Sequence, residues 1–150
     1  MSTKTSKRAA QPAPPNVGIL LRDPFRALVS HVHQRLAERG HPEIRPAHGN
    51  VFQFLDAEGT RVSVLAERAQ MTKQSMAELV AHLEANGYVE RIPDPTDRRA
   101  KLVRATPRGL DSVPIALDAI AEIEAHWTER LGEVKMRRLH KLLEELNATL

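Results

Sequence analysis

Apolar positions along this chain recur mostly in steps of three and four, and give way to a different pattern between Tyr88 and Thr106. Phe25, Leu28, Val29, Val32 and Leu36 share one helical face, until Gly40-His41-Pro42 interrupts them. Asp23-Pro24 in front offers an N-cap acceptor followed by proline at the first helical position, which predicts the start of that helix. Val17 to Arg22 is apolar enough to add a turn or to pack against a partner. Pro46 opens a second predicted helix, with Ala47, Val51, Phe54 and Leu55 inward and Glu58-Gly59-Thr60 at its end. Arg61-Val62 reads as a minimal strand. Ser63 is placed to cap a short helix, Val64 to Ala69. Gln70-Met71 make a turn, Thr72 caps the next helix, and Met76, Leu79, Val80 and Leu83 form its buried stripe. Asn86-Gly87 closes it, with Gly87 as the left-handed C-terminal cap. Two helices joined by so short a turn predict a helix-turn-helix.

The run YVERIPDPTDRRAKLVRAT, Tyr88 to Thr106, reads as a strand, a Pro/Asp loop with adjacent arginines, and a second strand. A helix followed by a basic-tipped hairpin is the layout of a winged helix. Thr106-Pro107 repeats the cap-plus-proline start. Leu110, Val113, Leu117, Ile120, Trp127 and Leu131 follow at near-heptad spacing, with Pro114 expected to bend or restart the helix. Gly132 breaks the pattern, and Leu139, Leu142, Leu143, Leu146 and Leu150 mark a final helix. Such long one-sided stripes exceed what a small winged helix can cover, so pairing with a second subunit is expected; folding back on their own domain is the alternative. The predicted class is mainly α with a small β-hairpin, a winged helix-turn-helix with N- and C-terminal dimerisation helices. Residues 17–150 form one domain, with a DNA-binding lobe about 44–106 and dimerisation helices about 17–40 and 107–150.

A length of 150 residues suits such a domain, and a net charge of +3 is too modest to mark a nucleic-acid binder by itself. Its distribution says more. Arg91, Arg98, Arg99, Lys101, Arg104 and Arg108 face only Asp94 and Asp97 between Arg91 and Arg108. Basic charge focused on one hairpin is what phosphate contact requires, although a solvated strand face would look the same. The absence of cysteine excludes disulfides, thiolate zinc sites and thiol-based sensing. No apolar run reaches membrane-span length, so no membrane association is expected. The polar, basic, Pro-rich residues 1–16 read as a disordered arm without a signal core, and the chain as cytoplasmic.

The first turn of a recognition helix points at base edges, and here it holds Thr72, Lys73, Gln74 and Ser75. Gln can pair bidentately with adenine and Lys can reach guanine or phosphate. Ser and Thr suit phosphate oxygens at a helix N-terminus, and Ser63 joins them at the preceding helix. On the wing, Arg98, Arg99 and Lys101 are the contact candidates. Asp97 is placed to hold one arginine by a charge-assisted fork, ready for a narrow minor groove, while the other takes phosphate; the sequence leaves the two roles interchangeable. Enzyme signatures such as G-x-S-x-G, a P-loop or H-E-x-x-H are missing, and no cofactor is implied. His31 and His33 point to different sides of a helix, and His41, His48, His82, His126 and His140 show no paired ligand spacing, so no metal site is expected.

Residues 60–106 resemble the winged helix of the MarR (multiple antibiotic resistance regulator) family. The resemblance is carried by LEANGYVER (Leu83 to Arg91), the D-x-x-D-R-R wing (Asp94 to Arg99) and T-x-x-G (Thr106 to Gly109). It implies an obligate homodimer, a triangular helical body with two winged lobes, and double-stranded palindromic DNA as partner. Asp97 and Arg99 match the family's wing aspartate and minor-groove arginine. Many members are repressors released by small aromatic or acidic ligands, which implies an effector site at the junction of lobe and dimer helices. His33, Arg45 and Trp127 are its candidates by chemistry: a donor, a carboxylate partner and an aromatic wall. The absence of Cys excludes the family's cysteine-based oxidant sensors. The expected function is thus a sequence-specific, homodimeric transcriptional repressor. The alternative is a winged helix for protein interaction with no operator of its own, against which the clustered wing arginines argue.

Overall fold

The computed structural model describes residues 14–150. Six α-helices and one antiparallel hairpin follow in the order α1 (Val17–Glu38), α2 (Gly49–Phe52), α3 (Val62–Arg68), α4 (Lys73–Ala85), β1 (Val89–Asp94), β2 (Asp97–Ala105), α5 (Pro107–Leu131) and α6 (Glu133–Asn147). A 3-10 turn, Pro46–His48, precedes α2. This is the expected mainly helical winged helix-turn-helix. The greater part of the expected N-terminal arm, residues 1–13, lies outside the described residues.

The first helix starts earlier than Asp23-Pro24 predicts. Asn16 is the N-cap, its Oδ1 accepting the Ile19 amide at 3.1 Å, and Pro24 lies inside the helix. Asp23 pairs with Arg22 at 2.8 Å instead of capping. Pro24 removes one amide near the helix start, a loss that an exposed second turn tolerates. The predicted helix after Pro46 shrinks to a 3-10 turn and one short α-helix. Val51 and His48 turn inward there, whereas Ala47 is exposed. The minimal strand expected at Arg61-Val62 does not form, because Val62 already opens α3; the single bridge lies one residue earlier, with Thr60 exchanging two backbone bonds with Val103 at 2.8 and 2.9 Å. Arg61 rather than Ser63 is the N-cap of α3; Ser63 sits inside its first turn. Pro114 does not restart α5, which continues from Pro107 to Leu131.

Three local predictions hold in detail. Thr72 Oγ1 accepts the Ser75 amide at 3.1 Å, and Thr106 Oγ1 accepts the Gly109 amide at 3.1 Å. Gly87 ends α4 with φ +75°. Gly109 serves a different need, because a Cβ there would meet the Tyr88 carbonyl oxygen at 2.1 Å. Only glycine lets α5 cross the start of β1 so closely. The core runs from Val32 and Leu36 of α1 through Val51, Leu65, Met76, Val80 and Leu83 to Tyr88, Val89, Val103 and Ala119. Six of these, Val51, Leu65, Met76, Val80, Leu83 and Val103, are fully buried aliphatic side chains in or beside the helix-turn-helix. They fix α4 against α3 and the hairpin.

Candidate nucleic-acid interface

The buried stripe of α4 leaves its first turn outside. Thr72, Lys73, Gln74 and Ser75 are all exposed. The Thr72 hydroxyl donates to Ser75 Oγ at 2.8 Å while its oxygen takes the Ser75 amide. The Lys73 and Gln74 amides, which have no carbonyl a turn behind them, remain directed outward with the positive end of the helix dipole. That is an anion-binding geometry. The Gln74 carboxamide lies along the helix, its Nε2 donating to Glu78 at 3.4 Å. To read a base edge it must leave this long bond.

The hairpin pairs Val89 with Ala105 through Pro93 with Lys101, then slips register at Pro93/Asp94. The six basic residues between Arg91 and Arg108, five on the hairpin and Arg108 at the start of α5, divide into two sets. Arg91 pairs with Glu84 at 3.0 Å, Arg104 with Glu90 at 2.6 Å, and Arg108 with Glu43 at 3.2 Å. Among the described residues Arg98, Arg99 and Lys101 pair with no carboxylate, and all three are exposed at or near the tip. The cluster seen in the sequence is therefore half structural: only the tip carries free charge. Ser63 is exposed on α3.

The fork expected from Asp97 to a wing arginine is not made. Asp97 Oδ1 accepts the backbone amide of Arg99 at 3.0 Å, and its other oxygen lies 3.8 Å from Arg61. Asp97 thus shapes the chain entering Arg99, not the guanidinium. The arginine that is held is Arg61, bound to Asp94. The Thr96 hydroxyl and amide, and then Arg61, hold the Asp94 carboxyl at about 2, well below its ordinary 3.8. Sequence reading missed Arg61 because its partner is 33 residues away.

The effector candidates are not gathered as expected. His33 donates from Nδ1 to its own helix at Val29, 2.6 Å away. Arg45 is exposed, its amide donating to His48 Nδ1 at 2.8 Å. Trp127 is half-buried far along α5. An open cleft of about 500 Å³ does lie where the lobe meets α5, lined by Phe52, Leu55, Ala105, Pro107, Leu110 and Val113 with the Arg104–Glu90 pair beside them. None of His33, Arg45 and Trp127 lines it. A second polar cluster, also unforeseen, joins α4 to the loop before α2. His48 and His82 stack at 4.7 Å, and His82 donates to the Glu43 carbonyl at 3.0 Å. Burial first, then the charges of His82, Arg45 and His33, push the His48 imidazole down from 6.5 to about 4. Among the described residues no three His, Asp or Glu side chains gather as a metal site, and no helix is long and apolar enough to cross a membrane.

A capped helix over a short turn, followed by a hairpin bridged to the strand-like residue before the pair, defines a winged helix-turn-helix protein. Residues 44–100 match the model of the MarR family. The chain is 32% identical over 95 residues to the transcriptional activatory protein BadR of Rhodopseudomonas palustris, covering 61% of this chain and 53% of BadR. The chain thus spans about half the length of that relative. The transcriptional regulator Tm0710 of Thermotoga maritima is 27% identical, superposes with a TM-score of 0.61, and is covered over 90% of its length by 87% of this chain. The fold of S. aureus MepR, solved as a DNA complex, matches with a TM-score of 0.71 at 19% identity, over 91% of this chain and all of that one. The chain thus resembles the MarR family of winged-helix regulators, through the family model over residues 44–100 and through the fold over most of its length.

Proposed function

We propose that this chain is a homodimeric, sequence-specific DNA-binding transcriptional regulator that represses by occupying a palindromic operator. The observation that carries this reading is the pairing of two free cationic surfaces on one buried scaffold. Lys73, Gln74 and Ser75 stand outside α4, and Arg98, Arg99 and Lys101 stand outside the wing, with no internal carboxylate on the cations among the described residues. A helix end of this kind enters a major groove, and a cationic hairpin reaches the adjacent backbone or minor groove. Two copies related by a two-fold axis place their recognition helices about one DNA turn, roughly 34 Å, apart.

Residues 17–150 then act as one unit, with the lobe at about 44–106, in the cytoplasm where the DNA is. The family relationship, a relative named as a regulator and a fold neighbour solved with DNA support the reading. BadR is named as an activator. The sign of control follows from where an operator sits relative to a promoter, and the same dimer serves either. A small aromatic or acidic effector in the cleft beside Phe52, Leu110 and Arg104 works only by binding two lobe spacings with different affinity. The first test is a gel shift with the DNA upstream of the chain's own gene. A complex that survives non-specific competitor and reduces a reporter's output is expected. Failure to retain any duplex would instead fit a protein-docking winged helix.

A further inference from the structure

Asp94 is unusual for a residue next to a hairpin tip. Its side chain is only 5% exposed. The register slip between Pro93 and Asp94 is the kind of irregularity that re-aims a side chain, and it turns Asp94 inward. Oδ1 accepts the Thr96 amide at 2.8 Å and the Thr96 hydroxyl at 2.7 Å. Oδ2 accepts from Arg61 Nε at 2.6 Å and Nη2 at 2.5 Å. Arg61 is the N-cap residue of α3, directly after Thr60, whose backbone is bridged to Val103. The wing is thus fastened to the helix-turn-helix twice: by a backbone bridge at Val103 and by a guanidinium–carboxylate clamp nearer the tip.

We infer that Arg61 is a positioning residue which, through Asp94, fixes the tilt of the wing against α3 and α4 and so sets the separation of Arg98 and Arg99 from the first turn of α4. This rests on the DNA-binding reading above. A two-stranded hairpin is marginal by itself and swings about its base. The grooves of a duplex lie at set separations, so a swinging wing must be ordered at a cost when it binds. The planar fork of arginine reaches Asp94 through two nitrogens while Nη2 stays 3.8 Å from Asp97, a geometry lysine cannot reproduce.

Arg61 is also 39% exposed, so the rival role is a direct phosphate contact. The two roles give opposite signs for Asp94→Asn. Asparagine keeps the Thr96 bonds through its carbonyl oxygen but turns an amide toward Arg61, freeing the guanidinium. The test measures anisotropy of a labelled duplex from the chain's own upstream DNA with the full-length protein. The variants are Arg61→Ala and Asp94→Asn, each alone and combined with Arg99→Ala or Gln74→Ala, with thermal melts in parallel. Both single variants should weaken binding by about tenfold, erase most of the cost of Arg99→Ala, and leave the cost of Gln74→Ala intact. Should Arg61→Ala fail to fold, Asp94→Asn carries the same comparison. Tighter or unchanged binding by Asp94→Asn overturns the inference, as does simple addition of the Arg61 and Arg99 losses. A wild-type chain that binds no duplex overturns the DNA-binding reading and this inference with it; additive losses on a wild type that binds overturn this inference alone.

Discussion

The winged lobe and the terminal helices treat apolar side chains in opposite ways. In the lobe Leu65, Met76, Val80, Leu83, Tyr88 and Val103 are all wholly buried. On α1, α5 and α6, by contrast, Val17, Leu20, Phe25, Leu110, Leu117, Leu142 and Leu146 are all more than 40% exposed, and α6 buries nothing. Full burial of such a side chain is worth roughly 1.5–3 kcal/mol, and each of these forgoes about half of that. The lobe thus covers its own apolar side chains within one chain, whereas the helices keep apolar surface that the single chain does not cover. The near-heptad stripe was read as a dimer seam, with folding back as its alternative; the single chain leaves that stripe open.

The contrast breaks hardest if either half is probed in the wrong place. Leu83→Ala removes a fully buried side chain from the lobe and should cost about 2–5 kcal/mol of stability. Leu142→Asp changes a side chain that is 52% exposed in one chain, and on an isolated subunit would cost little. In a dimer it buries an unpaired charge, worth about 3–5 kcal/mol. Sedimentation at micromolar concentration should show a wild-type dimer and a largely monomeric Leu142→Asp. A wild type that sediments as a monomer would remove the second half of the comparison.

The lobe has its own signature in acid. His48 is buried against His82, with Arg45 and His33 adding repulsion, and its imidazole is held at about 4 rather than 6.5. A depressed folded-state value means that the unfolded chain binds the proton more readily. The stabilisation is therefore whole above pH 6.5 and drains away as pH falls from there to about 4. Melting temperature followed across that window should drop less steeply in His48→Gln than in wild type. Asp94 adds a separate loss lower down, as pH passes from 3.8 to about 2. Parallel curves for wild type and His48→Gln would mean that the stacked pair does not sense the proton.

What could be read from sequence alone divides along similar lines. Thr72, Thr106 and Gly87 act on the two or three residues beside them, so cap and turn chemistry located them. Asp23-Pro24 and Ser63 failed by the same logic, because the Asn16 cap and an extended Arg61 had already started those helices upstream. The recognition-helix turn was legible since a four-residue stripe defines its opposite face. The Arg61–Asp94 clamp and the His48–His82 stack join positions 33 and 34 residues apart, and no period or spacing announces them. The six-residue basic cluster was overcounted for the same reason: Glu43, Glu84 and Glu90 neutralise half of it from outside the wing or across the strand pair.

If the lobe is complete by itself, changes on its outer faces alter binding and leave folding alone. Gln74→Ala removes an exposed side chain whose one internal bond is 3.4 Å long, so melting should barely move. Binding should lose about 1–3 kcal/mol at particular operator positions, and preference there should relax. A uniform loss over all sequences would reduce Gln74 to a backbone contact.

The finest division lies within the wing, between arginines with and without a carboxylate. Arg104 is paired with Glu90 at 2.6 Å, and Arg99 has no such partner among the described residues. A phosphate that meets Arg104 must compete with Glu90; one that meets Arg99 does not. Arg99→Ala should therefore weaken DNA binding, and the logarithm of affinity against the logarithm of salt should flatten by about one unit per lost phosphate contact. Arg104→Ala should leave that slope unchanged and shift stability by only about 0–1 kcal/mol, the worth of an exposed ion pair. Affinity measured over a salt series for the two variants, beside their melts, separates the sets. Equal slopes for both would mean that the tip charge is no freer than the paired charge at the base.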